Sequence, residues 1–206
     1  MFILETKPKE ELEKLLKPGV CVIKCIGCRE ISLPEEKIEE LLKNLELDAK
    51  DVLAVDYLCN ADFTKSRLLK YKSEIDKCNS ILVFSCGVGL QVLAGMLEEK
   101  SAVQGLNTIY ISGRGLAPSD YDCDQCGECL LNLTGGICPV TQCSKGLLNG
   151  PCGGAKNGKC EISKDLDCAW EKIYKKLEAS GRLDSYFRKM KVRDYSKALA
   201  KPKQPV

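Results

Sequence analysis

The chain has 206 residues, and its 31 lysines and arginines nearly balance its 29 aspartates and glutamates, so that the formal net charge is +2. A net charge this small gives no reason to expect a nucleic-acid or membrane-surface partner. No run approaches the roughly 20 apolar residues of a membrane-spanning helix, and residues 1–17 lack the apolar centre of a signal peptide. We therefore expect a cytoplasmic protein with one full domain and a smaller appendix.

Cysteine is the unusual residue of this composition, because the chain has 14 cysteines and no histidine. In a reducing compartment, this many cysteines indicate metal ligation rather than a disulfide framework. The absence of histidine excludes imidazole as a metal ligand or general base. Any metal centre should therefore be built from thiolates.

The first half of the chain alternates helices with short apolar strands. Pro8 and the leucines after it predict a first helix over 6–17. Further helices are expected from Ser32 or Pro34 to 44, over 64–76 and over 88–97. Runs rich in β-branched residues predict strands at 20–24, 51–58, 80–84 and 107–111, the last closed by Ser112-Gly113.

This alternation predicts an α/β fold, an open parallel-sheet sandwich of the flavodoxin or Rossmann type. We assign the α/β domain to residues 1–115. A polar connector from Leu116 then leads into a small cysteine-rich metal-binding domain, which we place at 116–180. A basic helical tail is expected at 181–206.

Cysteines follow three consecutive predicted strands. Cys25 and Cys28 end the first strand, Cys59 the second and Cys86 the third. In open α/β sheets, ligands bind beyond the carboxyl ends of the strands. The topology therefore predicts that these four thiolates converge on one all-cysteine cluster site.

A cysteine can also be an ordinary buried hydrophobic residue, and we expect this of Cys21, inside the first strand, and of Cys78, near a helix end. Gly87-Val-Gly89 is similar to the start of a dinucleotide-binding turn, but Val92 stands where the third glycine belongs. We interpret this stretch as the start of a helix beside the cluster site.

The second half contains eight cysteines within 46 residues, beginning with a C-x2-C-x2-C run at 123–129. Such a run, followed by a cysteine beside a proline, is typical of loops that hold a [4Fe–4S] cube. Glycines around it permit positive φ, so that backbone N–H groups can point at sulfur. We expect Cys123, Cys126, Cys129 and Cys138, which precedes Pro139, to bind one cluster.

The later cysteines are spaced more widely: Cys143, Cys152, Cys160 and Cys168. This spacing fits either a second cube or a structural zinc ion, and both metals favour thiolate. The sequence leaves the metal at these residues open. With the strand-end site, the chain has enough thiolates for three centres, and we expect at least one of them to be a cube, with two or more favoured.

The C-terminal part predicts an amphipathic helix over 169–181, with Gly181 as its C-cap candidate, and a shorter helix over 183–190. One face of the first helix should pack over the cysteine-rich loops through Trp170, Ile173, Tyr174 and Leu177. Residues 170–206 contain 11 basic and 4 acidic side chains, a local net charge of +7. This charge fits either a solvated tail or an arm that wraps an acidic partner.

Several motifs carry a resemblance to a known family. They are Cys123 to Cys129, Cys138-Pro139, Asn149-Gly-Pro-Cys-Gly-Gly154, Gly158-Lys-Cys-Glu161 and Cys168-Ala-Trp170 with Tyr174. Together they resemble the C-terminal domain associated with methylenetetrahydrofolate reductases. With the cysteines of the first half, the likeness extends over about 20–175 to the free-standing small subunits of the MetV type.

The resemblance implies an iron–sulfur subunit that works with a MetF-type flavoprotein. That flavoprotein reduces 5,10-methylenetetrahydrofolate to 5-methyltetrahydrofolate in the Wood–Ljungdahl pathway of one-carbon metabolism. The family has been described both as iron–sulfur and as zinc-containing, and the likeness does not assign individual cysteines to individual centres. The basic tail lies outside the similar part.

Two functions of different classes fit these observations. The chain is either an electron-transfer subunit that supplies the partner's flavin, fed by further donor subunits or a ferredoxin, or a structural assembly module held by zinc. A thiol oxidoreductase built on Cys25 and Cys28 would leave twelve cysteines unexplained. Because the chain has no flavin motif and no phosphate-binding loop, we expect no catalytic residue and no reductase activity from it alone.

Overall fold

A computed structural model describes residues 3–28, 33–47, 52–97, 100–110, 121–187 and 190–199 of the chain. Several expectations fall outside these residues: the helix start at Ser32, the strand end at Ser112-Gly113, the connector from Leu116 with the 115/116 domain boundary, and the end of the tail at 200–206. No helix in the described ranges is long and apolar enough to cross a membrane.

The elements are numbered in chain order. The first half contains β1 (Ile3–Thr6), α1 (Lys9–Glu13), β2 (Val20–Ile26), α2 (Glu35–Asn44), β3 (Val52–Asp56), α3 (Ala61–Lys70), α4 (Lys72–Asp76), β4 (Ser80–Phe84), α5 (Gly87–Met96), β5 (Ser101–Gln104) and β6 (Leu106–Tyr110). The second half contains α6 (Pro139–Gln142), α7 (Ala169–Ala179), α8 (Leu183–Phe187) and α9 (Ser196–Leu199).

A parallel sheet forms the centre of the first half, with strands in the order β3-β2-β4-β5. This is the strand order of doubly wound, flavodoxin-like sheets, whose topological switch here lies between β2 and β4. The register places Cys25 beside Val55 and Lys24 beside Phe84, so that the three cysteine-bearing strands end side by side. The predicted α/β fold class is confirmed.

Successive strand residues alternate between two cores, one on each face of the sheet. Val22 and Leu82 face α1 and α2, where Leu12, Ile38 and Leu42 are buried. On the other face Ile23, Ile81 and Val83 pack against α4 and α5, together with Leu131 of the cysteine-rich segment. Helices therefore pack on both faces of the sheet and hold its strands in place.

The strand predicted at 107–111 is present as β6, but its expected place as the fourth strand of the parallel sheet is wrong. The fourth strand of the sheet is β5, while β6 pairs antiparallel with β1 in a separate two-stranded sheet. Gly105 separates the two strands, and a Cβ there would lie 2.6 Å from the Cε1 of Phe84. Only glycine therefore fits at residue 105, where the chain leaves the parallel sheet.

The predicted first helix at 6–17 is also too long, because Thr6 belongs to β1 and α1 covers only Lys9–Glu13. The strand at 3–6 was not predicted. It forms because Leu106 and its neighbours provide a partner from 100 residues later in the chain, which no local pattern reveals. The predicted helix over 64–76 is divided into α3 and α4 at Tyr71.

Cys21 and Cys78 form a disulfide with a Cα–Cα distance of 5.7 Å, so the expectation of two separate buried thiols was wrong. Because β2 and β4 are parallel neighbours, the turns that enter them lie side by side. The N–H of Asn79 donates to the carbonyl of Gly19 at 2.8 Å, which holds the two turns together. The sheet thus places the two sulfurs together although 57 residues separate them in sequence.

The C-terminal helices form a small core of their own. Trp170, Ile173 and Leu177 of α7 are buried with Tyr186 of α8, as the amphipathic pattern predicted, but Tyr174 is 43% exposed, which corrects its assignment to the packed face. Gly181 has a φ of +67° and ends α7 as predicted. Its N–H donates to the carbonyl of Glu178, and the next N–H, of Arg182, donates to Leu177.

Candidate metal centres

The structure brings together the four cysteines expected at the strand ends. We call them the strand-end set: Cys25, Cys28, Cys59 and Cys86. Cys25 lies in β2 and is buried, and Gly27, with a φ of +83°, turns the chain so that Cys28 follows closely. Tyr57, with a φ of +48°, makes the matching turn after β3. Cys86 is the residue immediately before α5.

The thiols of the strand-end set are close enough to influence one another's ionisation. The pKa of Cys25 is raised to about 12, mainly by burial; the charges of Cys86, Cys59 and Cys28 act in the same direction, and the Leu58 amide opposes them. Burial likewise raises the pKa of Cys86 to about 11 and raises that of Cys59. Four thiolates therefore cannot be held here without a compensating positive charge.

Backbone amides favour negative charge on these sulfurs. The N–H groups of Gly89 and Val88, in the first turn of α5, lower the pKa of Cys86 although burial outweighs them. The amide of Leu58 acts in the same way on Cys25. Amides that point at sulfur are a recurrent feature of iron–sulfur sites, where they tune the reduction potential.

A second group is formed by the first cysteines of the cysteine-rich segment. We call them the loop set: Cys123, Cys126, Cys129 and Cys138. The loop turns at Gln125 and Gly127, which have φ values of +51° and +75°. Strand β6 holds it, since the N–H of Gly127 donates to Thr108 at 3.0 Å and the N–H of Cys129 donates to the Oδ1 of Asn107 at 3.0 Å.

The loop set shows the same electrostatic pattern. The pKa of Cys129 is raised to about 12, mainly by burial; Lys7 opposes this increase, and the charges of Cys138 and Cys126 add to it. Burial also raises the pKa of Cys123 well above its usual value, and the charges of Cys129, Cys86 and Cys138 add to this increase. The pKa of Cys126 is raised by burial and by Cys138. In each set, therefore, the negative charges of ionised cysteines would repel one another.

The strand-end set and the loop set adjoin each other at the start of α5. Cys86 contributes to the raised pKa of Cys123, and a Cβ on Gly87 would lie 3.2 Å from the Cys123 sulfur. The buried Gln91 bridges the same point, since its Nε2 donates to the carbonyls of Gly87 at 3.2 Å and Asp122 at 2.9 Å. The absence of a side chain at residue 87 allows the two sets to approach.

The remaining four predicted ligands line one small cavity of about 20 Å³. We call them the C-terminal set: Cys143, Cys152, Cys160 and Cys168. Cys143 directly follows α6 and Cys168 directly precedes α7. The N–H of Gly154 donates to the sulfur of Cys152 at 3.4 Å. The amide of Ile162 and the hydroxyl of Ser144 lower the pKa of Cys160, which favours its thiolate.

In the part of the chain that the structure describes, no three cysteine, aspartate or glutamate side chains stand close enough to hold a single metal ion. Within the described residues, none of the three sets has its sulfurs in the positions that a single bound ion would require. The assignment of the twelve cysteines to centres stays a prediction, and so does the nature of the metal.

Residues 103–196 match a protein-family model described as methylene-tetrahydrofolate reductase C terminal. This is the reductase family that the cysteine motifs resembled, and the match supports that relationship for this segment. It starts in β5 and so includes Asn107 and Thr108, which hold the loop set, as well as the whole C-terminal set. Searches of curated proteins and of solved structures find no match for the chain.

Sequence reasoning missed three residues that act on the loop set. Lys7 is buried, forms an ion pair with Glu11 at 2.9 Å and lowers the pKa of Cys129. Arg193 lowers the pKa of Cys126, and Gln91 bridges the two sets. No local pattern marks these residues, because each approaches its cysteine only through a distant part of the chain.

Proposed function

We propose that this chain is an iron–sulfur electron-transfer subunit, of the MetV type, of a two-subunit methylenetetrahydrofolate reductase. It would pass electrons to the flavin of a MetF-type partner, which reduces 5,10-methylene- to 5-methyltetrahydrofolate. The observation that carries this proposal is the contact between two sets of four thiols at Gly87. The family match over residues 103–196 supports the choice of partner.

The residues of the strand-end and loop sets fit a [4Fe–4S] cluster each. The donors are all cysteine sulfurs, which iron–sulfur clusters bind as thiolates, and each set contains four. Backbone amides face Cys86 and Cys25, and positive φ values at Gly27 and Gly127 allow the chain to fold around a bulky group. When bound, such clusters would supply one-electron transfer with little change in geometry.

The C-terminal set better fits a single zinc ion. All four of its cysteines line one small cavity, as the ligands of a single ion would. Zinc in structural sites is held by four thiolates in a closed tetrahedron. A zinc ion would stabilise a segment whose regular structure is limited to short helices and isolated β-bridges.

The chain's own residues would tune and connect the two cluster sites. Burial of Cys25, Cys86 and Cys129 penalises every added negative charge, whereas backbone amides offset part of this penalty. Lys7 places a buried positive charge near Cys129. We infer that electrons pass between the sets at the contact of Cys86 and Cys123, and leave the chain through the loop set.

The proposal is tested by metal analysis of protein purified without oxygen. We expect about eight iron and eight sulfide atoms from two cubes, about one zinc ion, and a brown colour that bleaches with dithionite. Cys59→Ser and Cys126→Ser should each remove about half of the iron, whereas Cys152→Ser should remove only zinc. Ser73→Ala, at an exposed position of α4 outside the three sets, is the control and should change none of these values.

A second function, a structural assembly module of the same reductase, is favoured by the C-terminal set alone. In that case the purified chain would be colourless, contain zinc without iron, and still bind the flavoprotein. Such a result would refute electron transfer while leaving the family relationship intact. Iron that does not respond to dithionite or to a natural electron donor would refute it equally.

A further inference from the structure

An apolar groove of about 470 Å³ lies between the loop set and the C-terminal part of the chain. Its walls are formed by Leu130, Leu133, Val140, Leu148, Met190 and Val192, with Cys126, Glu128, Lys191 and Arg193 among them. Cys126 is the one member of the loop set that lines it. All of these residues belong to the segment that matches the reductase family.

One wall of the groove carries unusually exposed apolar side chains. Met190 is 82% exposed and Val192 is 80% exposed. They are two residues apart in sequence, and both line the groove. Exposed apolar side chains that are grouped in this way mark interaction sites more often than isolated ones do.

The segment that carries these side chains is held in place and is not a loose tail. The Nδ2 of Asn149 donates to the carbonyl of Lys191 at 2.9 Å, and the N–H of Lys191 donates to the Oδ1 of Asn149 at 2.6 Å. Further along the chain Arg193 pairs with Asp124, and the Nζ of Lys197 lies 2.6 Å from the Oε2 of Glu5. Met190 and Val192 are thus presented by a fixed backbone.

The basic residues in and near the groove indicate the charge of the partner's surface. Residues 170–206 have a net charge of +7, and the groove itself is lined by two basic side chains, Lys191 and Arg193, and one acidic side chain, Glu128. A basic rim around an apolar centre attracts an acidic surface and rejects a basic one. Because Cys126 lines the groove, a protein bound there would lie next to the loop set.

We propose that this groove is the docking site of the flavoprotein subunit. That subunit inserts an apolar side chain between Met190, Val192 and Leu133, and it places an acidic side chain opposite Lys191, since Arg193 already pairs with Asp124. The inference rests on the proposed function, because it assumes that the partner exchanges electrons with the loop set. It adds the place of contact and the chemistry of the partner's surface.

The test compares the binding of a MetF-type flavoprotein to the anaerobically purified chain and to a Met190→Asp, Val192→Asp double variant. Two central apolar contacts are replaced by charges that repel the acidic partner, so we expect affinity to fall at least about tenfold. Leu69→Asp is the matched control, because Leu69 is 67% exposed on α3 and lies outside the groove. Iron content and the visible spectrum should be the same in all three proteins.

The outcomes separate this inference from the proposed function. Equal affinity of the double variant and the control would overturn the docking site while leaving electron transfer standing. Wild-type protein that contains iron but does not bind the flavoprotein would overturn both the partner and the site. A sedimentation experiment in which wild type self-associates and the double variant does not would assign the groove to a second copy of the chain. Tighter flavoprotein binding by a chain ending at residue 199 would assign it to residues 200–206. Either result would overturn the proposal.

Discussion

Asn132 joins the cysteine-rich segment to the α/β sheet through three hydrogen bonds. Its Oδ1 accepts from the N–H of Gln104 at 2.6 Å, and its Nδ2 donates to the carbonyl of Gln104 at 3.0 Å and to the Oε1 of Glu11 at 2.8 Å. It thus completes the unpaired edge of β5 with a side chain that mimics a strand. Because Asn132 is buried, water cannot replace these bonds.

We therefore expect Asn132→Ala to lower the free energy of unfolding by about 3 kcal/mol, since both backbone groups of Gln104 lose a buried partner. Urea unfolding followed by circular dichroism measures this change. Asn44→Ala, at an exposed position of α2, is the control and should change stability by no more than about 0.5 kcal/mol. A difference between the two variants of less than about 1 kcal/mol would show that Asn132 does not bear this role.

The grouping of the cysteines follows from the sequence, whereas the residues that shift their pKa values do not. The strand-end set could be predicted because parallel topology brings Cys25, Cys59 and Cys86 to one edge of the sheet regardless of sequence distance. The effect of Lys7 on Cys129 could not, because β1 and its partner β6 had first to meet. The disulfide of Cys21 was missed for a similar reason: its partner is set by strand register.

At the scale of elements, α7 and α8 form a core that closes over the segment before them. The Nε1 of Trp170 donates to the carbonyl of Leu147 at 2.9 Å, and the hydroxyl of Tyr186 donates to Leu148 at 2.5 Å. The two rings meet edge to face with centroids 5.6 Å apart. These contacts bind the helix pair to the loop between Cys143 and Cys152 and so help to shape the C-terminal set.

The pKa of Tyr186 gives this core a pH dependence. Burial raises that pKa from 10.0 to about 12, so the folded protein resists loss of the phenolic proton. The contribution is fully present below pH 10 and is lost as the pH rises towards 12, because the unfolded chain releases the proton first. We expect wild type to lose more stability than Tyr186→Phe between about pH 9 and pH 11.5. Urea unfolding of both proteins at the two pH values measures the difference, and parallel losses would contradict the assignment.

Element boundaries were predicted best where a pattern is local. Gly181 ends α7 because its positive φ suits glycine, and Gly87 starts α5 directly after a strand. Strand β5 was missed because Ser101–Gln104 is short and only partly apolar, and β6 was assigned to the wrong sheet. The strands that β5 and β6 pair with depend on the turn at Gly105. Glycine is needed there because the ring of Phe84, which is distant in sequence, occupies the space of a side chain.

At the scale of the whole molecule, the disulfide between Cys21 and Cys78 closes a long loop that contains β2, β3 and their helices. A cross-link over this length stabilises by about 4 kcal/mol in the chain-entropy account. A phosphine reductant should therefore lower the melting temperature of wild type by about 10 °C. The Cys21→Ser, Cys78→Ser double variant should melt at the lower temperature with and without reductant. Alkylation of both thiols in native protein before reduction would show that the disulfide does not form.

The arrangement of the two cluster sites leads to a magnetic prediction for the whole chain. If each set holds a cube, reduction makes both paramagnetic, and the contact of Cys86 with Cys123 at Gly87 brings the two spins near each other. Interaction between neighbouring spins weakens steeply with distance. We therefore expect the electron paramagnetic resonance spectrum of fully reduced wild type to be broad and split instead of the sum of two simple signals.

Removing either set should leave one isolated spin, so fully reduced Cys59→Ser and Cys126→Ser should each give a narrow, unsplit signal. Cys152→Ser is the control, because it alters the C-terminal set, for which we propose diamagnetic zinc, and should retain the wild-type splitting. Two additive, unsplit signals in wild type with a full complement of iron would mean that the sets are farther apart than the Gly87 contact requires. In that case the direct electron transfer that we propose between the strand-end set and the loop set would lose the contact on which it rests.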